Sequence, residues 1–102
     1  MPQVEQVQFK SWHCNVTYAK YGNGRLAIVL VDSTTHQTIA KATLNLPDEE
    51  LASDEVAIKD YAENETMLEA LMDAGIISQP IRHAHTGYIT VPICEYIGIK
   101  SK

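Results

Sequence analysis

Two histidines, His83 and His85, have the residue type and the spacing that could bind a metal ion. One alanine separates them, and alternate residues of an extended segment point to the same side, so both imidazoles would share one face. Neither a Cys-x-x-Cys nor a His-Glu-x-x-His spacing accompanies them. Further residues that could complete a zinc site are His13, Cys14, His36 and Cys94. A small-ligand or metal-binding module is therefore the alternative interpretation, beside a plain exposed pair of histidines.

The two cysteines, Cys14 and Cys94, could each serve as a nucleophile beside a histidine. Cys14 is adjacent to His13, but neighbouring residues of a strand point to opposite faces, so these two are poorly placed to act together. Both cysteines lie in apolar-patterned segments, which predicts two buried, reduced thiols. The chain also lacks a glycine-rich phosphate loop followed by Lys and Ser or Thr. We therefore predict that the protein is not an enzyme, and we assign no residue to catalysis, to a cofactor or to a metal.

Acidic residues are concentrated in one part of this chain, which has a formal net charge of −5. Residues 48–73 hold ten acidic side chains and one basic side chain, whereas the remainder has three acids and seven bases. This balance argues against direct binding of nucleic acid, which draws its affinity from lysine and arginine. It suits the binding of a basic protein, or simply the solubility of this one. The candidate partner-binding residues are Asp48, Glu49, Glu50, Asp54, Glu55, Glu63, Glu65, Glu69 and Asp73.

These carboxylates lead to the main functional hypothesis, a non-enzymatic interaction protein. The expected partner is a protein of basic or nucleic-acid-binding character. In one version of the hypothesis, the acidic segment imitates the phosphates of nucleic acid and so inhibits a nucleic-acid-binding defence protein. A homodimer formed by edge pairing of the last strand is compatible with this role.

The stretch 56–76 organises the predicted fold, because it contains the clearest helical pattern. Its apolar residues recur at spacings of one, three and four, as on one stripe of a helix, and are Met67, Leu68, Leu71 and Met72. Asn64 is the preferred N-cap, with Asp60 as the other candidate, and Gly75 suits the left-handed position after the last turn. The pattern predicts a helix over about 64–74 that docks its stripe on one face of a sheet, since so short a helix is unstable alone.

Strand patterns fill much of the rest of the chain. Residues 12–21 and 26–31 flank a Gly-Asn-Gly turn and predict a β-hairpin. Residues 38–46 alternate and predict a third antiparallel strand. Residues 88–97 predict the last strand, which is expected to lie at a sheet edge or to carry a bulge because Pro92 has no N–H to donate.

These elements predict an α+β fold, a mostly antiparallel sheet of four to five strands with the helix packed on one face. The length suffices for a single domain, residues 1–102, of which 98–102 are expected to form a flexible tail. No apolar run approaches the ~20 residues of a membrane span, and the first residues lack the features of a signal peptide. We therefore expect a cytoplasmic protein that does not bind membranes.

Two stretches in the second half of the chain carry a resemblance to a known group of proteins. Residues 60–76 contain Asp-Tyr-x-Glu-Asn-Glu and then Leu-Glu-Ala-Leu with Ala-Gly-Ile at its end, and residues 85–96 contain Thr-Gly-Tyr-x-x-Val-Pro-Ile-Cys. In these features the chain resembles a group of small bacterial proteins of unknown function that are encoded on plasmids, conjugative elements and phages. The resemblance implies an accessory protein of a mobile element, and it assigns no role to any residue.

Overall fold

The computed structural model describes residues 5–46 and 49–97, which fold into two antiparallel four-stranded sheets and one short helix. In chain order the elements are β1 (Gln6–Phe9), β2 (Trp12–Lys20), β3 (Leu26–Asp32), β4 (Thr38–Lys41), β5 (Thr43–Leu44), β6 (Glu55–Ile58), a 3₁₀ turn (Ala62–Asn64), α1 (Met67–Asp73), β7 (Arg82–Thr86) and β8 (Ile89–Glu95). The predicted α+β class, in one small domain, is confirmed. The tail predicted at 98–102 lies outside the described residues.

The first sheet has the order β1-β2-β3-β4, and its centre is the predicted hairpin of β2 and β3. The register of this hairpin runs from Cys14 opposite Asp32 to Lys20 opposite Leu26. In the turn between the two strands, Gly24 adopts a φ of +85°, which glycine does without steric cost. The hairpin prediction is confirmed, and β3 is an interior strand, as its apolar run indicated.

The predicted strand over 38–46 is broken in two at Ala42, and this break starts the second sheet. β4 pairs with β3 in the first sheet, whereas β5 pairs with β6 in the second. The Ala42 N–H donates to the Ile28 carbonyl (2.8 Å), and the Ala42 carbonyl accepts from the Lys59 N–H (2.8 Å), so this residue is bonded to both sheets. The described residues therefore form eight strands in two sheets, against four to five predicted for one sheet, because the sequence pattern does not change where the chain leaves one sheet for the other.

The second sheet has the order β5-β6-β8-β7, so the last strand lies inside the sheet. The first alternative of the Pro92 prediction, an edge strand, is therefore wrong. The pairs of β6 with β8 end at Ala57 opposite Ile93, and Pro92 is the next residue, so its missing N–H falls beyond that ladder. The edge strands are β5 and β7, and β7 has a weak strand pattern because Ala84 is its one buried residue.

Two clusters of buried apolar residues hold these elements together. The main cluster combines residues of the first sheet, of α1 and of the second sheet, and its fully buried members include Ile28, Leu30, Val56, Ile58, Met67 and Leu71. A smaller cluster in the second sheet contains Ala57, Ala84, Val91 and Ile93, against which Leu44, Leu46 and Leu51 pack. Within the acidic stretch 48–73, the part around Leu51 is thus anchored on the second sheet. The helix, which carries Glu69 and Asp73, is anchored in the main core.

The helix starts later than predicted, and Asp60, the other cap candidate, binds its first turn in place of Asn64. α1 begins at Met67, and the Asp60 carboxylate accepts a hydrogen bond from the Leu68 N–H (2.7 Å). Asn64, the preferred cap, is instead buried and donates its side-chain N–H to the Lys41 carbonyl (2.7 Å). The sequence pattern failed here because the chain folds back through the 3₁₀ turn, which lets a carboxylate eight residues upstream reach the first turn of the helix.

Thr66, immediately before α1, adopts a left-handed backbone with φ of +77°, which is unfavourable for a β-branched residue. Its side chain makes no capping hydrogen bond. Asparagine tolerates this backbone conformation much better. We therefore expect Thr66→Asn to raise the free energy of unfolding by about 0.5–1 kcal/mol, and the melting temperature by about 3–6 °C in a domain of this size.

Thermal unfolding followed by circular dichroism measures this effect. Thr17→Asn is the matched control, because Thr17 is exposed within strand β2 and its hydroxyl donates to the Val29 carbonyl (3.1 Å). That control is expected to lose stability, since asparagine is a poor strand residue. A loss of stability in both variants would contradict the strain assigned to Thr66.

Candidate functional site

The acidic loop between β5 and β6 is bound by an arginine from β7. The Arg82 guanidinium contacts the carboxylates of Glu49 (2.9 Å) and Glu55 (3.0 Å), and it also donates to the Glu50 carbonyl. These contacts, with Glu49 first and then Glu55, raise the pKa of Arg82 above its usual value. Two of the predicted partner-binding carboxylates are therefore ion-paired within the molecule.

A second arginine, Arg25, binds backbone carbonyls of the same loop. The Arg25 side chain, which follows the β2–β3 turn, donates to the carbonyls of Leu46 and Glu49. The Glu55 carboxylate also accepts a hydrogen bond from the Ala52 N–H (3.0 Å). Two arginines thus bind the described part of the loop, and Arg82 compensates the charges of Glu49 and Glu55. Asp48 lies outside the described residues.

Glu63 is also paired, but on the surface and close in sequence. Its carboxylate contacts the Lys59 ammonium at 2.5 Å, and the Glu63 carbonyl accepts a hydrogen bond from the side chain of Lys10 (3.0 Å). The hydrogen bond from Lys59 lowers the pKa of Glu63 and raises that of Lys59. Such an exposed pair contributes little to stability, but it leaves Glu63 with a compensated charge.

Three carboxylates in α1 and just before it differ from Glu49 and Glu55. Glu65, Glu69 and Asp73 are exposed, and none of them has an ion pair or hydrogen-bond partner for its side chain within residues 5–46 and 49–97. Glu69 and Asp73 lie four residues apart on one side of α1, and Glu65 lies just before the helix. A groove of about 450 Å³ runs beside them. We call it the acidic groove. Its lining residues are Asp60, Glu65, Thr66, Leu68, Glu69, Met72 and Asp73.

The acidic groove combines charge with apolar surface. Leu68 and Met72 are half-buried and pack against the main core, so each keeps part of its side chain open to the groove. Asp60 is partly buried there and is held by its bond to the helix. The arrangement offers an apolar strip beside three uncompensated carboxylates.

The four histidines are exposed, and none of them lines the acidic groove. His83 and His85 share one side of β7, as predicted, and the His85 Nδ1 lies 3.2 Å from the Thr90 hydroxyl. His13 and His36 are also exposed, on β2 and in the β3–β4 turn. Within the described ranges, no group of three or more His, Cys, Asp or Glu residues is placed to hold a metal ion. Two imidazoles supply only half of the ligands of a four-coordinate zinc site.

Both cysteines are free and buried, which confirms their prediction as packing residues. Burial, with a smaller effect of the Asp60 carboxylate, raises the pKa of the Cys94 thiol to about 12. Burial and then Asp32 raise the pKa of Cys14 as well. His13 is exposed while its neighbour Cys14 is buried, so the two do point to opposite faces. Thiols of this kind are poor nucleophiles.

A second groove, of about 600 Å³, lies between the β2–β3 turn and the acidic loop. Its lining residues are Lys20, Asn23, Gly24, Arg25, Leu26, Leu51, Ala52, Ser53, Asp54, Glu55 and Tyr96. Charges of both signs meet there. Neither this groove nor the acidic groove is lined by a histidine or a cysteine.

Sequence reasoning missed the two arginines that compensate the loop. Arg82 lies 33 residues from Glu49 and 27 from Glu55, so no local pattern connects them. The sequence offers only an indirect indication of this pairing. Arg25 and Arg82 both lie outside residues 48–73, in the part of the chain where bases outnumber acids. Among the candidates that the structure describes, Glu49 and Glu55 pair with Arg82 and Glu63 pairs with Lys59, whereas Glu65, Glu69 and Asp73 line a groove without an ion pair to a described residue.

Comparisons with protein-family models, with curated proteins and with solved structures find no match to this chain. No helix in the part of the chain that the structure describes is long and apolar enough to cross a membrane. The function must therefore be inferred from the residues and their contacts.

Proposed function

We propose that this protein is a non-enzymatic interaction protein that binds a basic partner protein in the acidic groove. The observation that carries this proposal is the contrast between two sets of carboxylates. Glu49 and Glu55 already contact a guanidinium, whereas Glu65, Glu69 and Asp73 have no cation within the described residues. Only the second set is available to pair with lysine or arginine from another molecule.

The groove also suggests what the partner presents. An amphipathic segment with basic residues on one side and apolar residues on the other would match the carboxylates together with Leu68 and Met72. Methionine is unbranched and adapts to irregular apolar partners. Charge complementarity of this kind raises the association rate and selects against acidic partners.

The biological setting that we propose is that of a mobile-element accessory protein. The resemblance of residues 60–76 and 85–96 to plasmid, conjugative-element and phage proteins supports this setting. A nucleic-acid-binding protein of a host defence system has the basic surface that the groove requires, and occupation of that surface would inhibit it. The carboxylates spaced along α1 would then stand where phosphates normally bind.

Reversal of two groove charges tests the proposal. We expect Glu69→Lys/Asp73→Lys to weaken binding of a basic amphipathic helical peptide by about tenfold, because each exposed charge pair contributes up to roughly 1 kcal/mol. The probe is a synthetic peptide of about twelve residues with lysines and arginines on one face and leucines on the other, and fluorescence anisotropy measures its affinity. Binding to the wild-type protein should also weaken as salt is added.

The matched control is Glu50→Lys/Glu95→Lys, which changes the net charge equally at two exposed carboxylates outside the groove. It should bind the peptide nearly as well as the wild-type protein. Equal weakening by both double variants would show an effect of net charge alone and would refute the groove as the binding site.

A further inference from the structure

Strand β7 forms an open edge of the second sheet. It pairs with β8 through a two-residue turn, with Thr86 opposite Ile89 and Ala84 opposite Val91. In such a hairpin the pair that closes the turn is hydrogen-bonded, and hydrogen-bonded pairs then alternate along the strands. The backbone N–H and C=O groups of Thr86 and Ala84 therefore point towards β8, and those of His83 and His85 point outwards.

These outward groups have no partner in the part of the chain that the structure describes. No hydrogen bond joins the backbone of His83 or His85 to any described residue beyond β8. An open row of backbone donors and acceptors is a template for pairing with another strand. His83 and His85, on either side of Ala84, thus present backbone groups that can extend the sheet.

Exposed apolar side chains flank the same edge. Three of the four large apolar side chains that are exposed in the described residues belong to this hairpin: Ile81 (48% exposed), Tyr88 (107%) and Ile89 (37%). Ile81 immediately precedes β7, and Tyr88 is the second residue after it, in the turn. A partner strand that lies antiparallel along β7 would therefore meet an apolar side chain at each end.

We infer that a second copy of this chain pairs with β7 through its own β7, antiparallel and centred on Ala84. In this register His83 lies opposite His85 of the partner subunit, and four backbone hydrogen bonds form between the outward groups. Ile81 lies level with the partner subunit's Gly87 and beside the partner subunit's Tyr88. The two-fold symmetry repeats this contact at the other end, so Ile81 and Tyr88 each meet an apolar side chain of the partner subunit.

The other strand edges are less suited to this pairing. β4 carries an irregularity where the register shifts between Leu30 and Val31, and β5 has only two residues. β1 has four residues and is followed at once by Lys10, whose backbone has a φ of +55°. β7 contains neither lysine nor proline, the residues that commonly protect an edge. Pairing of five residues per copy makes a small interface, for which we expect a dissociation constant on the order of 10–100 µM.

Charge substitution at the facing histidines tests both the dimer and its register. His83→Lys/His85→Lys places lysine opposite lysine at two points, whereas His83→Lys/His85→Glu places lysine opposite glutamate at the same points. Sedimentation equilibrium over concentrations up to about 1 mM measures the dimer. We expect the Lys/Lys variant to weaken dimerisation by about tenfold or more, and the Lys/Glu variant to dimerise at least as well as the wild-type protein.

An effect of net charge alone would give the opposite result for the Lys/Lys variant. The protein is at −5, so two added lysines reduce the general repulsion between copies and would favour association if net charge decided it. His13→Lys/His36→Lys makes the same charge change at exposed histidines of the first sheet and its turn, and should leave the dimer unchanged.

Three results would overturn the inference. They are a wild-type protein that stays monomeric throughout the concentration range, Lys/Lys and Lys/Glu variants that dimerise equally, and a His13/His36 control that dissociates as the Lys/Lys variant does. The inference is independent of the acidic groove, since Glu69→Lys/Asp73→Lys should leave the dimer intact.

Discussion

Leu71→Ala is expected to lower the free energy of unfolding by about 3–5 kcal/mol, the range for a fully buried leucine whose removal leaves a cavity. Leu71 is completely buried and belongs to the main core, beside Met67 on the inner side of α1. Seven residues form too short a helix to persist without such an anchor. The loss is large against a total stability of roughly 5–15 kcal/mol for a domain of this size. Urea unfolding followed by circular dichroism measures it.

Leu68→Ala is the matched control, because Leu68 is only half-buried and faces the acidic groove. It should cost about 1 kcal/mol, and Leu71→Met, which conserves volume, less than about 1.5 kcal/mol. Amide hydrogen exchange in α1 should accelerate in Leu71→Ala before the two sheets unfold. Equal losses for Leu68→Ala and Leu71→Ala would contradict the assigned orientation of the helix.

The helix was the most predictable element because its signal is local. Met67 and Leu71 lie one turn apart, and the same spacing that placed them on one face in the sequence places them in the core of the structure. The start of the helix was not predictable from the same pattern. The capping carboxylate of Asp60 comes from beyond the 3₁₀ turn, and its reach depends on how the chain folds back.

The strands show the same division between local and distant determinants. A Gly-Asn-Gly turn specified the hairpin of β2 and β3, since its geometry depends on three adjacent residues. The change of sheet at Ala42 depends on hydrogen bonds to Ile28 and Lys59, which no periodicity encodes. β7 was missed because a polar edge strand that buries only Ala84 has little hydrophobic alternation.

The sequence shows which residues of the candidate site are acidic, but not which of them pair with a cation of the same molecule. The count of acids between residues 48 and 73 correctly located the carboxylates along the chain. Whether a carboxylate is available to a partner depends on the cations that fold against it. Arg82 reaches Glu49 and Glu55 only because β7 lies beside the anchored loop. The structure therefore narrows the hypothesis from an acidic segment to the acidic groove.

Asn64 joins the helix region to the first sheet, and its replacement should have the second large effect on stability. The side chain is 1% exposed, and its N–H donates to the carbonyl of Lys41, the last residue of β4. Asn64→Ala would leave this carbonyl without its donor and open a small cavity, which we expect to cost about 2–3 kcal/mol. Asn64→Asp keeps the shape of the side chain and makes the loss of folding stability depend on pH.

An ionised carboxylate at position 64 would face the Lys41 carbonyl without a proton to donate, whereas the protonated form could donate its O–H. The pKa of Asp at this position is therefore expected to be higher in the folded state than the ~3.9 of the unfolded chain. The folded state then binds more protons than the unfolded state between these two pKa values, so stability falls as pH rises through that window. Each unit of difference contributes about 1.4 kcal/mol.

Urea unfolding of the wild-type protein and of Asn64→Asp between about pH 4 and pH 7 gives the difference in free energy at each pH. We expect this difference to be small near pH 4 and to reach about 3–4 kcal/mol at pH 7. Asn45→Asp is the control, because Asn45 is exposed and its side-chain oxygen accepts a hydrogen bond from Asn23, as a carboxylate also can. Its difference from wild type should stay within about 0.5 kcal/mol at every pH. A constant difference for Asn64→Asp would show that the buried amide is not the donor that ties the start of α1 to β4.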